Sequence, residues 1–278
     1  MPSWDIAVPR RPLRLAGIAM AGFSDRANDV DEVALVPHPA VTMLFDLGET
    51  QIVIDDGCGH QQRERVVAGL APSGARGTGL GGSHECLQVR LSPVTARTIL
   101  GASAELDGTV VALDDLWGRD AVRVQEQLRS VESWEDRFAI AELALARRLD
   151  ASRPVVDPEV TFSWEQIVAS GGQIRVDRLA ARVGWSRTRL WSRFRSQIGV
   201  TPKRAAQLIR FDHAVHRLAA GHSAARVAAE SGYVDQSHLC RDVMAFTGHT
   251  PTAIATAPFL AVDDVAWAEA DHASAATG

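Results

Sequence analysis

Gly232-Tyr233-Val234-Asp235-Gln236-Ser237-His238-Leu239-Cys240-Arg241 is the stretch that decides the fold of the C-terminal region. It follows Val227-Ala228-Ala229-Glu230-Ser231, and an earlier passage, Leu179-Ala180-Ala181-Arg182-Val183-Gly184-Trp185-Ser186, has the same organisation. Set side by side, Ala180 matches Ala228, Gly184 matches Gly232, Leu190 matches Leu239, Phe194 matches Val243, Gly199 matches Gly248 and Thr201-Pro202 matches Thr250-Pro251. A glycine ends a helix cheaply in the left-handed region, and Ser186 or Asp235 then offers an acceptor to the free amides of the next helix. Ala180, Ala181, Ala228 and Ala229 are small enough for the paired helices to cross closely. The repeat therefore predicts two helix-turn-helix units.

In the second helix of the first unit, Leu190 and Phe194 lie one turn apart and point inward. That leaves Arg187, Thr188, Trp191, Ser192 and Arg195 toward solvent. The matching face of the second unit carries Gln236, Ser237, His238, Cys240 and Arg241. Such faces fit the ~12 Å major groove of DNA, where side chains reach base edges and marginal arginines neutralise phosphates. The bland alternative is a solvated face on which Arg187, Arg189, Arg193 and Arg195 serve no partner. Thr201-Pro202 supplies a cap and a first-turn proline, so one long helix from Lys203 to about Ala220 should join the units. Held stiffly, they could read major grooves ~34 Å apart on one face of a duplex. Arg175 stands where a capping hydroxyl is usual, and Asp177 would compensate through the helix dipole.

Charge supports the same reading. Residues 170–256 hold 13 Lys and Arg against 5 Asp and Glu, a local charge of +8, whereas the rest of the chain holds 16 against 29 and sums to -13. A basic polyanion-binding module attached to an acidic one has this asymmetry. At 278 residues and 46% hydrophobic, the chain suits two domains. Cys58, Cys86 and Cys240 form no CxxC pair and no disulfide framework, which fits a reducing cytoplasm. No apolar run approaches the ~18 residues that span a bilayer, so no membrane partner is expected.

The N-terminal half has a different rhythm. Val41, Met43, Phe45 and Leu47 alternate with Thr42, Leu44 and Asp46, and Thr50-Gln51-Ile52-Val53-Ile54 follows after Gly48-Glu49, which predicts an antiparallel hairpin closed beyond by Asp56-Gly57. Further strands are expected at 65–71, 84–91 and 109–113, giving a small β-barrel or sandwich. Trp134, Phe138, Ala141, Leu145 and Leu149 then mark an amphipathic helix, with Glu135, Asp136, Arg137, Glu142, Arg147 and Arg148 mostly on other faces. Its stripe either packs on the barrel or forms a subunit interface. The expected division is a sensor or dimerisation domain at 1–150, a linker at 151–172 broken by Pro154 and Pro158, a DNA-binding domain at 173–260 and a flexible tail at 261–278.

Across residues 174–259 the sequence resembles the AraC/XylS family of regulators. The resemblance rests on both Leu/Val-Ala-x-x-x-Gly-aromatic starts, on the run from Gly232 to Arg241 and on the terminal Phe-x-Gly-x-Thr-Pro. It implies a bipartite DNA-binding domain joined by a rigid helix, with Thr188, Trp191, Ser192, Gln236, Ser237, Cys240 and Arg241 falling where family members contact DNA. Val243 departs from a frequent Phe. The fold class implied is α+β: an N-terminal antiparallel β-barrel, cupin-like, with helices, followed by an all-α C-terminal domain. Val36-Pro37-His38-Pro39 and Leu113-Asp114-Asp115-Leu116-Trp117-Gly118 are loosely similar to one subgroup of cupin-like sensor halves, and no effector-binding residue is assigned.

The function expected is a sequence-specific transcription regulator with operator DNA as partner, together with RNA polymerase, a small-molecule effector and a second copy of the chain. Alternatives are a ligand-independent dimeric regulator, or a cupin-type or DNA-repair enzyme fused to a DNA-targeting domain. No catalytic constellation stands out, so no enzyme is expected. Gly77-Thr78-Gly79-Leu80-Gly81-Gly82 satisfies GxGxxG, but a strand-like stretch follows instead of a helix, so it reads as a flexible loop. His38, His60 and His84 form no HxH pair, and neither a metal nor another cofactor is expected. Cys58 and Cys86 lack a basic neighbour in sequence and read as buried apolar residues.

Overall fold

The computed structural model describes residues 4–25, 32–49, 51–57, 59–70, 75–79, 83–101, 106, 108–151, 156–256, 260, 263 and 265–267. Thr50, Cys58, Leu80, Gly81, Gly82, Pro154 and Phe259 lie outside the described residues.

The N-terminal half is built from strands β1 (Trp4–Ala7), β2 (Ile18–Asp25), β3 (Glu32–Ala34), β4 (Val41–Asp46), β5 (Ile52–Asp55), β6 (Gln61–Arg63), β7 (Arg65–Ala68), β8 (Arg76–Gly79), β9 (His84–Leu91) and β10 (Val110–Ala112). They form a six-stranded sheet in the order β1-β2-β9-β4-β7-β10 and a four-stranded sheet in the order β3-β8-β5-β6. Every pairing is antiparallel. Among the described residues no strand closes these sheets into one barrel, and they face each other as a sandwich.

The predicted hairpin of β4 with β5 is not formed. β4 pairs with β7 and β9, whereas β5 pairs with β6 and β8 in the other sheet. The cause lies in Asp46. Its buried carboxylate accepts the Gly48 N–H at 3.2 Å and the Ile52 N–H at 2.9 Å, which turns the chain out of one sheet and into the other. The Asp56-Gly57 turn does close a hairpin, of β5 with β6, and Gly57 adopts φ 75°. Gly77 and Gly79, read as part of a flexible loop, belong instead to β8, where Gly79 leaves room for the His84 imidazole.

Period-two alternation gives the six-stranded sheet two distinct faces. Val41, Met43, Phe45, Leu87, Val89 and Leu91 face a layer of helices α1 (Pro93–Leu100), α2 (Leu113–Trp117), α3 (Arg119–Arg129) and α4 (Trp134–Ala151). Phe23, Leu44, Val66, Gln88 and Arg90 are on the opposite face, toward Ile54 of the four-stranded sheet. The apolar stripe of α4 packs within its own chain, with Phe138, Ala141 and Leu145 in the core. Trp134 lies over Gly22, where any Cβ would stand 2.3 Å from the ring. Arg137, expected on an outer face, is buried; it pairs with Glu85 at 2.8 Å and donates to the carbonyls of Leu128 and Val131.

Among the described residues the C-terminal region has helices only: α5 (Pro158–Ala169), α6 (Val176–Arg182), α7 (Arg187–Ile198), α8 (Pro202–Ala219), α9 (Ala224–Glu230), α10 (Gln236–Thr247) and α11 (Pro251–Ala255). Much of the expected linker is α5, started by Pro158 at its first turn and packed against α8 through buried Val160, Trp164 and Ile167. Proline at that position opens a helix as readily as it breaks one. The expected flexible tail is also anchored where it is described: Asp263, Ala266 and Trp267 are all buried, as is Leu260 just before it. The halves meet along a continuous apolar core, and the Arg97 guanidinium of α1 donates to the Ser196 carbonyl of α7 at 3.3 Å.

Gly172 sits at the close approach of α5 and α8, with φ 72° and a would-be Cβ 2.2 Å from the Ala206 carbonyl oxygen. Gly184 has a similar φ of 67° but open space around it. Gly184→Ala should therefore cost about 1–2 kcal/mol for the backbone alone, and Gly172→Ala a further ~1–3 kcal/mol for the overlap. Chemical denaturation of the two variants checks this, and equal losses would show that the carbonyl moves aside at no cost.

Candidate nucleic-acid interface

The two units form as their punctuation dictates. After α6 the chain turns through Gly184, the Trp185 N–H bonds the Ala180 carbonyl at 3.0 Å, and the Ser186 hydroxyl accepts the Arg189 N–H at 3.2 Å to start α7. After α9 it turns through Gly232 at φ 75°, the Tyr233 N–H bonds the Ala228 carbonyl at 3.1 Å, and the Asp235 carboxylate accepts the His238 N–H at 2.7 Å to start α10. Arg175 makes no capping bond to α6; its guanidinium instead holds Asp177 at 3.2 Å, which draws that carboxyl below the usual range. Thr201 caps α8 through its bond with the Arg204 N–H, and this helix runs unbroken for 18 residues, about 27 Å at 1.5 Å per residue.

Leu190 and Phe194 on α7, and Leu239 and Val243 on α10, are fully buried, which fixes the rotation of both helices. The opposite side of α7 exposes Arg187, Thr188, Trp191, Ser192 and Arg195, with Trp191 46% exposed and the Arg195 guanidinium over its ring. On α10, Gln236, Ser237 and Arg241 are exposed, whereas His238 and Cys240 are half-buried. His238 lies edge-on to Tyr233 at 5.2 Å, so part of its ring is committed to packing. Arg241 folds back over its own helix to the Ser237 carbonyl at 3.3 Å. The four arginines of α7 are not equivalent: Arg193 pairs with Asp157 at 2.7 Å and Arg189 stacks over Trp185, leaving Arg187 and Arg195 for the outer face.

Sequence reasoning missed Val234. It stands in the turn before α10 and is 87% exposed. Its departure from the polar residues around it was the available signal. An apolar side chain at the head of such a helix suits a thymine methyl.

A cavity of about 80 Å³ lies between the sheets of the N-terminal half. Leu44, Ile54 and Val66 give it apolar walls, and His38, Arg90 and Asp263 are its charged members. The cysteine near it, Cys86, is buried, and burial pushes its thiol up to about 12, so it is not a thiolate at neutral pH. Among the described residues no group of three or more His, Cys, Asp or Glu is arranged to hold a metal ion, and no helix is long and apolar enough to cross a membrane. His38, His60 and His84 are separated: His38 pairs with Asp212 and Asp263, His60 with Asp56, and His84 packs against Gly79.

Residues 179–257 match a family model described as a helix-turn-helix domain. No curated protein matches the chain. Among solved structures the fold is similar to ToxT from Vibrio cholerae, at 11% identity over 88% of this chain and 98% of that one with a TM-score of 0.48. It is also similar to the C-terminal domain of AraT, a response regulator from Geobacillus stearothermophilus, at 17% identity over 36% of this chain and 85% of that one with a TM-score of 0.35. The AraC-like transcriptional activator CuxR aligns at 14% identity over 86% and 91% of the two chains, with a TM-score of 0.25. The C-terminal region carries a helix-turn-helix domain. The region before it is built on antiparallel sheets.

Removing the Asp235 carboxylate leaves the first amides of α10 uncapped. Asp235→Ala should lower stability by about 1 kcal/mol and Asp235→Gly by only a few tenths. Thermal unfolding of the pair tests the assignment, and an Ala variant as stable as the wild type would remove it.

Proposed function

We propose that the exposed faces of α7 and α10 read operator DNA in two successive major grooves. Arg187, Thr188, Trp191, Ser192 and Arg195 act in the first, and Gln236, Ser237, His238, Cys240 and Arg241 in the second. One observation carries this reading: the two faces occupy equivalent positions on equivalent helices, joined by a single unbroken rod. That rod is about 27 Å long, on the scale of the ~34 Å between adjacent grooves. The concentration of positive charge in residues 170–256 supplies the phosphate attraction.

In this reading the inter-sheet cavity is the effector site, and a small molecule there biases the placement of the C-terminal region. The outer face of α4, where Leu143 is 52% exposed, is where two copies pair. The regulator works in the cytoplasm and meets RNA polymerase at its promoters.

A binding-site selection from random duplexes with purified protein tests the central claim. Arg241→Ala should weaken binding to the recovered site by about 1–3 kcal/mol and relax preference at one base position. An unchanged isotherm and an unchanged sequence preference would remove Arg241 from the contact set. Leu143→Glu should convert dimers to monomers in sedimentation, and a wild type that sediments as a monomer at all concentrations would end the pairing assignment.

A further inference from the structure

The tail after α11 follows the DNA-binding region in sequence but packs on the sheet of the other half. Trp267 is buried with Ala21, Phe23 and Cys86 on β2 and β9, its ring 6.3 Å from that of Phe23 and 4.0 Å from the Arg90 guanidinium. One turn earlier, Asp263 is 5% exposed and sits among cations from both halves. Its Oδ1 accepts from Arg90 at 3.0 Å, and its Oδ2 accepts from His38 Nε2 at 3.1 Å and from His216 Nε2 at 3.2 Å. His38 also donates through Nδ1 to the Asp212 carboxylate at 2.9 Å, and His216 through Nδ1 to the Asp212 carbonyl at 2.8 Å.

The chemistry of these bonds fixes the charges. Each imidazole faces acceptors with both ring nitrogens, and only the imidazolium donates from both. Three cations, Arg90 and His38 from the N-terminal half and His216 from α8, are thus balanced by the carboxylates of Asp212 and Asp263. Asp263 alone touches all three cations. Without it, Asp212 would remain to balance a buried triple charge that the interior does not tolerate.

We infer that the segment through Leu260, Asp263 and Trp267 is an autoinhibitory clamp, which ties the joining helix α8 to the β2/β9 face and keeps the acidic half pressed against the DNA-binding half. This rests on the DNA-binding function proposed above. A half carrying net negative charge, tied to the DNA-binding half, opposes the approach of a phosphate backbone over the roughly 8–10 Å across which charges act at ordinary salt. Opening the clamp lets that half withdraw without altering any residue of α7 or α10. Because His38, Arg90 and Asp263 also line the inter-sheet cavity, the clamp is where occupancy of that cavity reaches α8.

The test compares the full-length wild type with Asp263→Ala and Trp267→Ala; the second removes the apolar anchor and leaves every charge in place. Two readouts are taken: amide exchange in β9 and α8, and affinity for a 40-base-pair random duplex at about 0.1 M salt. Both variants should exchange faster in those elements and bind at least about fivefold more tightly, the lower end of ordinary coupling between sites. Unchanged exchange overturns the clamp, and faster exchange with equal or weaker binding overturns its inhibitory role. Failure of all three proteins to bind duplex would instead sink the DNA-binding reading and with it the inhibition, while exchange still decides whether the tie exists.

A pH series gives an independent check. Burial opposes a charge on His216, but Asp263 and Asp212 outweigh it and raise its pKa from 6.5 to about 9. His38 is raised as well, against burial and Arg90, by Asp263 and Asp212, and both carboxyls are held below their usual range despite burial. A raised histidine stabilises fully below its unfolded value and loses that contribution as pH climbs through the folded one, so the clamp should weaken between about 6.5 and 9. The affinity gap between wild type and Asp263→Ala should close across that window, and a gap that stays constant would remove His216 from the clamp.

Discussion

A sheet six strands wide has two faces to hide, and hiding both organises the molecule. Helices of the N-terminal half cover the first, over Met43, Phe45, Leu87 and Val89. The second is shared between unlike covers: the smaller sheet lies over Leu44 and Val66, and a segment from the far side of the DNA-binding region lies over Phe23 and Cys86. Because a partner from elsewhere in the chain completes the sheet, the relative placement of the two halves is part of the N-terminal core. Apolar burial of this kind has no direction of its own, so the charged contacts at Asp263 and Asp212 supply the register.

The C-terminal region was almost wholly legible in the sequence, because its determinants are local. A left-handed glycine followed by a capping Ser186 or Asp235 fixes a turn within a few residues, and the Leu190/Phe194 and Leu239/Val243 pairs fix which side of each helix faces out. The N-terminal half was legible only as strands. Alternation shows that Val41–Asp46 is a strand with two faces, but it does not say which neighbour pairs with it. The hairpin reading failed at Asp46, where two side-chain bonds to backbone amides redirect the chain; an aspartate at a strand end is as common in ordinary turns. Pro158 was read as a breaker because a proline opens one helix and ends another with the same chemistry. Arg137 and Asp263 look like surface charges until their partners, far away in sequence, are known.

The candidate site divides in the same way. Exposure bears out the outward direction expected for most of its residues, since it follows from helical periodicity alone. Local pairing modifies the picture: Arg193 is drawn to Asp157 and Arg189 to the Trp185 ring, so four arginines in nine residues do not make four phosphate ligands. Val234 was hidden for the opposite reason, because an apolar residue in a polar run is unremarkable until its surroundings prove empty.

Asp263 and Trp267 emerge from the ribosome after every other element they touch, so the sheet of the N-terminal half is translated, and must stay soluble, with part of its face uncovered. The tail's tie between the two halves is the last of their contacts to be translated. A nascent polypeptide thus carries both finished helix-turn-helix units for a brief interval before the tail that ties them to the sheet exists, and any truncated translation product would remain in that state.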